Sequence, residues 1–413
     1  MNKSRKILIL GLNYAPEPTG NAPYTSGLAE GLAAAGHQVN VLTGYPHYPE
    51  WQLKAGYSGW SRNEVIKDVR VRRLRHFIPR SPTSAHRMHM ELSFGIRLLF
   101  ANWHRPDVVL VVSPALFASG LAVLRARFCL RRPAVGMWIQ DIYSRGITET
   151  GTGGNTTSAA VRTVESLILR STDGVVAIHD RFRKYLIEEL GVSATRVRVI
   201  RNWTHLPAST SENRSAFRSS MGWGEQDVVV LHAGNMGMKQ GLENVIKAAK
   251  VSQDRGSCVR FVLMGDGNQR KQLESLAAGI TKIDFVPPLP DSEFQAALAA
   301  ADILLVNELP GIKDMAVPSK LTSYFNAGVP IIAATDDGSV TASEIMASGG
   351  GIRVDAADPA SLVEAAEALG QDSAKSAELG AKGLQFRHET LSESAAVAHY
   401  DDFVSSLASS RGR

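Results

Sequence analysis

Short apolar runs alternate with amphipathic stretches along the whole chain. Residues 6–13 (KILILGLN), 39–43 (VNVLT), 107–113 (DVVLVVS), 134–140 (AVGMWIQ), 173–179 (DGVVAIH) and 197–202 (VRVIRN) read as strands covered on both faces. Helical patterns separate them: YTSGLAEGLAAAG at 24–36, then 84–103, 115–130 and 181–190. This alternation predicts a parallel sheet with helices packed against it. In the helix at 84–103, Met88, Leu92, Ile96, Leu99 and Trp103 recur at helical spacing and mark the face expected on the sheet. The other reading of that helix is a basic amphipathic face lying on a membrane surface.

The pattern lapses at 203–226, where PASTSENRSAFRSSMGWGEQ reads as a linker. A second strand series follows at 227–234, 259–265, 283–286, 303–307, 330–334 and 351–354, each separated by a helical pattern. The expected organisation is a first α/β domain at 1–205, a linker at 206–226, a second α/β domain at 227–388, and a terminal helix within 389–413. Both sheets are expected to be doubly wound, which places ligand contacts on the loops after the strand ends.

Composition places the protein in a compartment and suggests its partners. Cys129 and Cys258 are the only cysteines, too few for a disulfide framework, and no apolar run approaches a membrane span; a reducing cytoplasm is the expected home. The net charge of +5 is uneven: residues 1–206 carry 27 basic against 14 acidic side chains, and residues 207–413 carry 18 against 26. The excess gathers at Arg70, Arg72, Arg73, Arg75, Arg80, Arg87 and Arg97 and again at Arg125, Arg127, Arg131 and Arg132, favouring an anionic membrane surface or substrate. No nucleic-acid reader motif accompanies it. His86 and His89 lack a third ligand, so no metal site is expected.

Candidate chemistry centres on 317–333, VPSKLTSYFNAGVPIIA. Pro318 in a first helical turn, Ser319, Lys320 and Leu321 describe a helix start facing ligand, whose unpaired amides and ammonium suit a diphosphate. Alternatively, Pro318 and Ser319 only cap a packing helix and Lys320 is solvated. The glycine loop Gly234, Asn235, Met236, Gly237 with Lys239 is a second phosphate cradle, and Gly265-Asp266-Gly267 follows the next strand. In the first half, the loop APEPTGN lacks the dinucleotide fingerprint. Gly20 and Asn21 there suit close approach to a ligand or a plain turn. YPHYPEW at 45–51 reads as acceptor-facing, with His47 alternatively a surface residue. Asp141, delivered to the sheet edge, suits a general base toward a hydroxyl or else caps the next turn. Residues 151–158 (GTGGNTTS) read as a mobile substrate loop, and Asp336-Asp337 as a turn rather than a metal pair.

Taken together, LNYAPEPTGNAPYTSGLAEGLAAAGHQVNVLTGYPHYP, RPDVVLVVSP, WIQDIY, AGNMGMKQGLE, GDG and VPSKLTSYFNAGVPIIA, in this order, resemble the GT-B glycosyltransferases. The likeness is to family GT4 and its WcaI/WbuB-like branch of polysaccharide enzymes. The resemblance implies two Rossmann-like domains facing across a cleft. It also implies retaining, metal-independent hexosyl transfer from a nucleotide-sugar, bound as a substrate by the second domain, to a hydroxyl of a glycan held by the first; the basic charge of the first domain points to a lipid-diphosphate-linked acceptor and attachment at the inner membrane face. No cofactor is implied, and the terminal helix is implied to cross back onto the first domain. By motif, Gly20 approaches the donor phosphate, Asp141 sits by the acceptor or transferred sugar, and the 234–239 loop, Ser319 and Lys320 bind the diphosphate. The chain departs from the family where its Arg and Lys align with Asn235 and Gln240, and where paired glutamates align with Met315 and Ser323. Glu308 and Asp314 are out of register. Those departures keep open a nucleotide-sugar epimerase of the same fold or a non-catalytic sugar-nucleotide-binding subunit.

Overall fold

A computed structural model describes residues 4–17, 20–48, 50–80, 83–144, 155–203, 214–311 and 319–410. The chain forms two compact units, one of Met1–Trp203 with Glu393–Arg413, the other of Thr204–Ser392.

The first unit is built on an eight-stranded sheet. Its strands are β1 (Lys6–Leu10), β2 (Gln38–Gly44), β3 (Ser61–Ile66), β4 (Val69–Leu74), β5 (Val108–Val112), β6 (Ala134–Ile139), β7 (Gly174–Ala177) and β8 (Val197–Val199), in the order β3-β4-β2-β1-β5-β6-β7-β8. The helices between them are α1 (Ala22–Ala34), α2 (Ser84–Phe100), α3 (Leu116–Phe128), α4 (Asn155–Arg170) and α5 (Asp180–Glu188). Strand β5 (VVLVV) is buried throughout, as a central parallel strand covered on both faces must be. Ile7 of β1 pairs in register with Val39 on one side and Val108 on the other. The strand order therefore reverses between β1 and β5, opening a crevice at their carboxyl ends.

Three features differ from the sequence reading. The arginine-dense stretch at 70–75 is an edge hairpin: β3 pairs antiparallel with β4, Ile66 opposite Val69. Lys67 and Asp68 take left-handed φ values of 43° and 65°, matching the twist of a two-residue hairpin turn. Arg73 breaks the apolar alternation of β4 and so hides the strand, yet it is buried and bonds Glu64 at 2.8 Å. Arg73, Arg125 and Arg127 also hold the Ala15, Leu98 and Ser171 carbonyls, so these three serve the fold rather than an anionic partner.

The second correction concerns α2. Its sheet-facing side is Met90, Phe94 and Leu98, whereas Met88 and Ile96 face solvent. Both stripes have helical spacing; the choice is made by Gly95, where a Cβ would lie 2.9 Å from Ala118 Cα of the neighbouring helix α3. Third, Asn155–Ser158, read as part of a loop, open helix α4, while 151–154 lie outside the described residues.

The second unit carries six parallel strands: β9 (Val228–Ala233), β10 (Val259–Met264), β11 (Ile283–Val286), β12 (Ile303–Asn307), β13 (Ile331–Ala334) and β14 (Gly351–Val354). Their order is β11-β10-β9-β12-β13-β14, so the reversal lies between β9 and β12. The helices are α6 (Arg214–Ser220), α7 (Glu243–Asp254), α8 (Arg270–Leu276), α9 (Asp291–Ala300), α10 (Ser319–Ala327), α11 (Val340–Ser348), α12 (Pro359–Gln371) and α13 (Ser373–Thr390). Helix α6 lies inside the stretch read as linker. Buried Arg218 ties it down by donating to Asp302 Oδ2 at 2.8 Å and to the Asp227 carbonyl at 2.8 Å.

The last helix, α14 (Glu393–Ser410), belongs to the first unit. Its seat is made by glycines. A Cβ on Gly31 of α1 would meet Val397 at 2.4 Å, and one on Gly136 or Gly174 would meet Phe403 at 2.9 Å. Tyr400 packs on Trp138 with ring centroids 5.0 Å apart, and Asp401 bonds His37 at 2.8 Å.

Candidate active site

Each sheet carries a candidate site at the point where its strand order reverses. In the first unit, Gly11–Asn13 after β1, Ser113 after β5 and Asp141 after β6 line a pocket of about 480 Å³. Of the residues expected from sequence, Gly20, Asn21, His47 and Asp141 all border it. Gly20 has φ +66°, a left-handed value that favours glycine, and a Cβ there would lie 3.4 Å from Tyr48. Asn21 Nδ2 donates to the Ser113 carbonyl at 2.9 Å, tying the loop before α1 to the end of β5.

His47 is buried rather than on the surface, and its Nδ1 donates to the Tyr45 carbonyl at 2.9 Å. The aromatic loop is pinned by Glu17, whose carboxylate receives the amides of His47 at 2.8 Å and Tyr48 at 2.9 Å and the Asn13 side-chain amide at 2.9 Å. Asp141 is exposed in the pocket, and its Oδ1 accepts the Ile142 amide at 2.8 Å. It therefore caps the following turn while presenting its carboxylate to whatever enters. Ser113 Oγ fixes that turn, accepting from the Gln140 amide and donating to the Asp141 carbonyl.

Sequence reasoning missed two buried carboxyl groups beside this pocket. Glu91 lines it from α2, receives the Phe117 amide at 3.0 Å and hydrogen-bonds Tyr143; burial pushes its carboxyl up to about 8, against the Phe117 amide, which pulls it down. Glu165 receives the Tyr143 and Ser144 amides at 2.9 and 3.1 Å, and burial raises it too. A lone acid inside an apolar helical stripe, as at Glu91, was the available signal. Arg87, also at the pocket, stacks 5.3 Å from the Trp51 ring.

In the second unit, Gly234 and Gly265 end β9 and β10 with φ of +137° and +136°, conformations open to glycine alone. The two loops lie flat on each other, since a Cβ on Gly265 would fall 1.9 Å from the Gly234 carbonyl oxygen and one on Gly267 would fall 2.4 Å from that of Met236. The Met236 amide donates to the Asp266 carbonyl at 2.8 Å, and Asp266 Oδ1 receives the Gly267 amide at 2.8 Å. Gly237 leaves room for the Asn235 side chain, which would otherwise stand 2.7 Å from a Cβ.

Lys320, in the first turn of α10, reaches back to this loop. Its Nζ lies 3.7 Å from the position a Cβ would take on Gly234 and 3.4 Å from His232 Nε2. Burial pulls its pKa down to about 8, partly offset by the negative charge of Glu308. Burial, and then the neighbouring ammonium, hold His232 well below its ordinary value, so it stays neutral. Glu308, after β12, receives the hydroxyls of Thr335 and Thr341. Leu321 corrects the sequence reading: its side chain is in the core, leaving only its amide for a ligand. Lys239 is exposed on the turn Met238–Gln240, Ser319 opens α10, and Pro318 lies outside the described residues.

Residues 19–203 match the family model described as glycosyl transferase 4-like domain, and residues 227–372 match glycosyl transferases group 1. The chain belongs to this glycosyltransferase family. It is 32% identical over 338 residues to the Escherichia coli (strain K12) protein named "putative colanic acid biosynthesis glycosyl transferase WcaI", covering 78% of this chain and 81% of the relative. Among solved structures, sucrose-phosphate synthase from Thermosynechococcus elongatus superposes with a TM-score of 0.69 at 16% identity, covering 98% of this chain and 100% of that one. Anabaena HepE, in complex with UDP, superposes with a TM-score of 0.69 at 15% identity, covering 97% and 100%. At those identities the likeness establishes fold: this glycosyltransferase has the GT-B type of architecture, two parallel α/β units.

Proposed function

We propose that the protein is a retaining, metal-independent hexosyltransferase that moves a sugar from a nucleoside-diphosphate sugar to a hydroxyl of a lipid-linked glycan during cell-surface polysaccharide synthesis. The observation that carries the reading is the Lys320 ammonium beside the Gly234 loop, at the reversal point of the second sheet. Its hydrogen-bond partner is a neutral imidazole, not a carboxylate, so its positive charge is left for a ligand. Departure of the nucleoside diphosphate builds negative charge on its terminal phosphate. The ammonium and the first amides of α10 meet that charge without reorganising, whereas in the 234–237 loop the amides of Gly234, Met236 and Gly237 already donate within the protein. The HepE complex with UDP and the polysaccharide role in the name of WcaI support the donor and acceptor classes.

Asp141 is assigned to the acceptor. Its carboxylate stands in a pocket walled by Tyr48, Trp51 and Tyr143, aromatic surfaces suited to a sugar face, with Arg87 for a phosphate on the lipid-linked acceptor. Such a role places the protein in the cytoplasm, at the inner face of the membrane.

A thermal-shift screen with UDP, GDP, dTDP and ADP, repeated on Lys320→Ala, tests the donor site. One nucleotide should raise the midpoint of the parent and not of the variant. No shift with any of them would sink the transferase reading in favour of a non-catalytic relative, and product identity with a labelled nucleotide-sugar separates transfer from epimerisation.

A further inference from the structure

Among the described residues nothing covers the outward face of α2 and α3. The two helices run side by side in the same direction: Glu91 meets Phe117, Gly95 meets Ala118 and Leu121, and the Leu98 carbonyl meets Arg125. On right-handed helices so paired, residues one step past the contact line on α2 and one step before it on α3 turn to the same side. Those residues are Ile96, followed a turn later by Phe100, and Leu124, followed a turn later by Phe128. The opposite side, with Met90, Phe94, Ala122 and Ala126, is buried against the sheet.

Among the described residues the three most exposed large apolar side chains are Leu130 at 107%, Phe100 at 86% and Phe128 at 81%. All three sit at one end of this helix pair, which chance scatter of surface hydrophobics does not explain. Arg131 and Arg132 follow directly and are exposed. Between Ser84 and Arg132 the only acids are Glu91, which is buried, and Asp107, which receives the Lys6 amide at 2.8 Å. The face is thus apolar and fringed by cations, and Asp173, which packs on α3 from outside this stretch, is paired with Arg127 at 3.2 Å.

We propose that this face docks on an anionic lipid bilayer, with Phe100, Phe128 and Leu130 entering the acyl boundary and Arg131 and Arg132 meeting headgroup phosphates. Among the described residues no helix is long and apolar enough to cross a membrane, so the contact is one of resting on the surface. The same helix α2 lines the first-unit pocket with Arg87, Met90 and Glu91. Those residues lie at the other end of α2 from Phe100, roughly 15–20 Å along the helix, so docking fixes the distance from the pocket to the acyl boundary, a consequence that rests on the reading of the acceptor as lipid-linked. The occupant is a bilayer rather than a protein partner because an apolar strip that ends in the exposed cations Arg131 and Arg132 complements an anionic headgroup layer.

The test is sedimentation of the full chain with phosphatidylglycerol/phosphatidylcholine vesicles and with pure phosphatidylcholine vesicles. The parent should bind the anionic vesicles, and Phe100→Ser/Phe128→Ser should weaken binding by roughly tenfold or more. Arg131→Glu/Arg132→Glu should abolish the preference for the anionic vesicles. Absence of binding by the parent at low salt, or equal binding by parent and phenylalanine variant, would overturn the proposal. So would light scattering showing a parent dimer that the phenylalanine variant dissolves, since a second copy would then cover the face. The nucleotide-induced shift in the phenylalanine variant should match the parent, which confirms folding. Transfer to a water-soluble acceptor by the parent tests the transferase reading separately from docking.

Discussion

Lys320 Nζ stands 3.4 Å from His232 Nε2, and because an ammonium only donates, the imidazole accepts there and carries its proton on Nδ1. Two cations in that space would repel, and burial resolves the conflict by keeping His232 neutral. The lysine alone titrates, near 8. Nucleotide affinity should be greatest below that pH and fall as pH rises past it, the bound diphosphate moving the transition upward. Lys320→Ala should remove this dependence and weaken binding by about tenfold to a hundredfold, as loss of a charged hydrogen bond does. Calorimetric titration from pH 6 to 10 reads both.

The same shift has a consequence without ligand. The folded-state pKa of Lys320 is depressed, so between about 8 and the ordinary value of 10.5 the unfolded chain binds a proton that the folded chain does not. The parent should gain stability as pH rises through that window, and Lys320→Met should not. Melting temperatures at pH 8 and 10 compare the two slopes.

Glu91 carries the opposite sign. Its carboxyl is raised from 4.5 to about 8, so the folded chain holds a proton that the unfolded chain has lost, and stability falls as pH rises between those values. Glu91→Gln keeps an oxygen for the Phe117 amide and no longer ionises. It should be more stable than the parent by on the order of 4 kcal/mol at pH 8, with no gain at pH 4.

Asp141→Asn retains the acceptor for the Ile142 amide, so the turn should survive. Sugar transfer should fall by about a hundredfold, while the melting temperature stays within a degree or so of the parent. Loss of stability in parallel with activity would mark Asp141 as a capping residue and nothing more.

Gly31→Ala sets two effects against each other. Alanine gains about 1 kcal/mol of helix propensity over glycine, while overpacking costs about 1–3 kcal/mol. A Cβ 2.4 Å from Val397 decides for the clash, so the variant should be destabilised. Adding Val397→Ala should recover part of the loss, and a double-mutant cycle by denaturant titration measures how much.

The central strands were legible because parallel strands covered on both faces are apolar almost without interruption, as at 303–307; the edge strands 283–286 and 351–354, which carry Asp284 and Arg353, were placed to the residue as well. The edge hairpin was not, since Arg73 occupies an inward position whose neutralising partner, Glu64, is visible only once β3 and β4 pair. Helix α2 carries two apolar stripes, and spacing alone does not say which meets the sheet. In the candidate sites, glycine loops and the Pro-Ser-Lys helix start announce themselves locally. Glu91, Glu165 and Glu17 do not, because each acts on backbone amides that the fold brings from elsewhere.

The seat of α14 bears on synthesis. Gly136, Gly174 and Trp138 on strands β6 and β7 of the first sheet are covered by Phe403 and Tyr400, which are synthesised only after the whole second unit. The first half of the nascent chain therefore waits, with part of its apolar surface open, through translation of the entire second unit. A message cut short after residue 392 would encode every strand of both sheets and still yield a first unit lacking one wall.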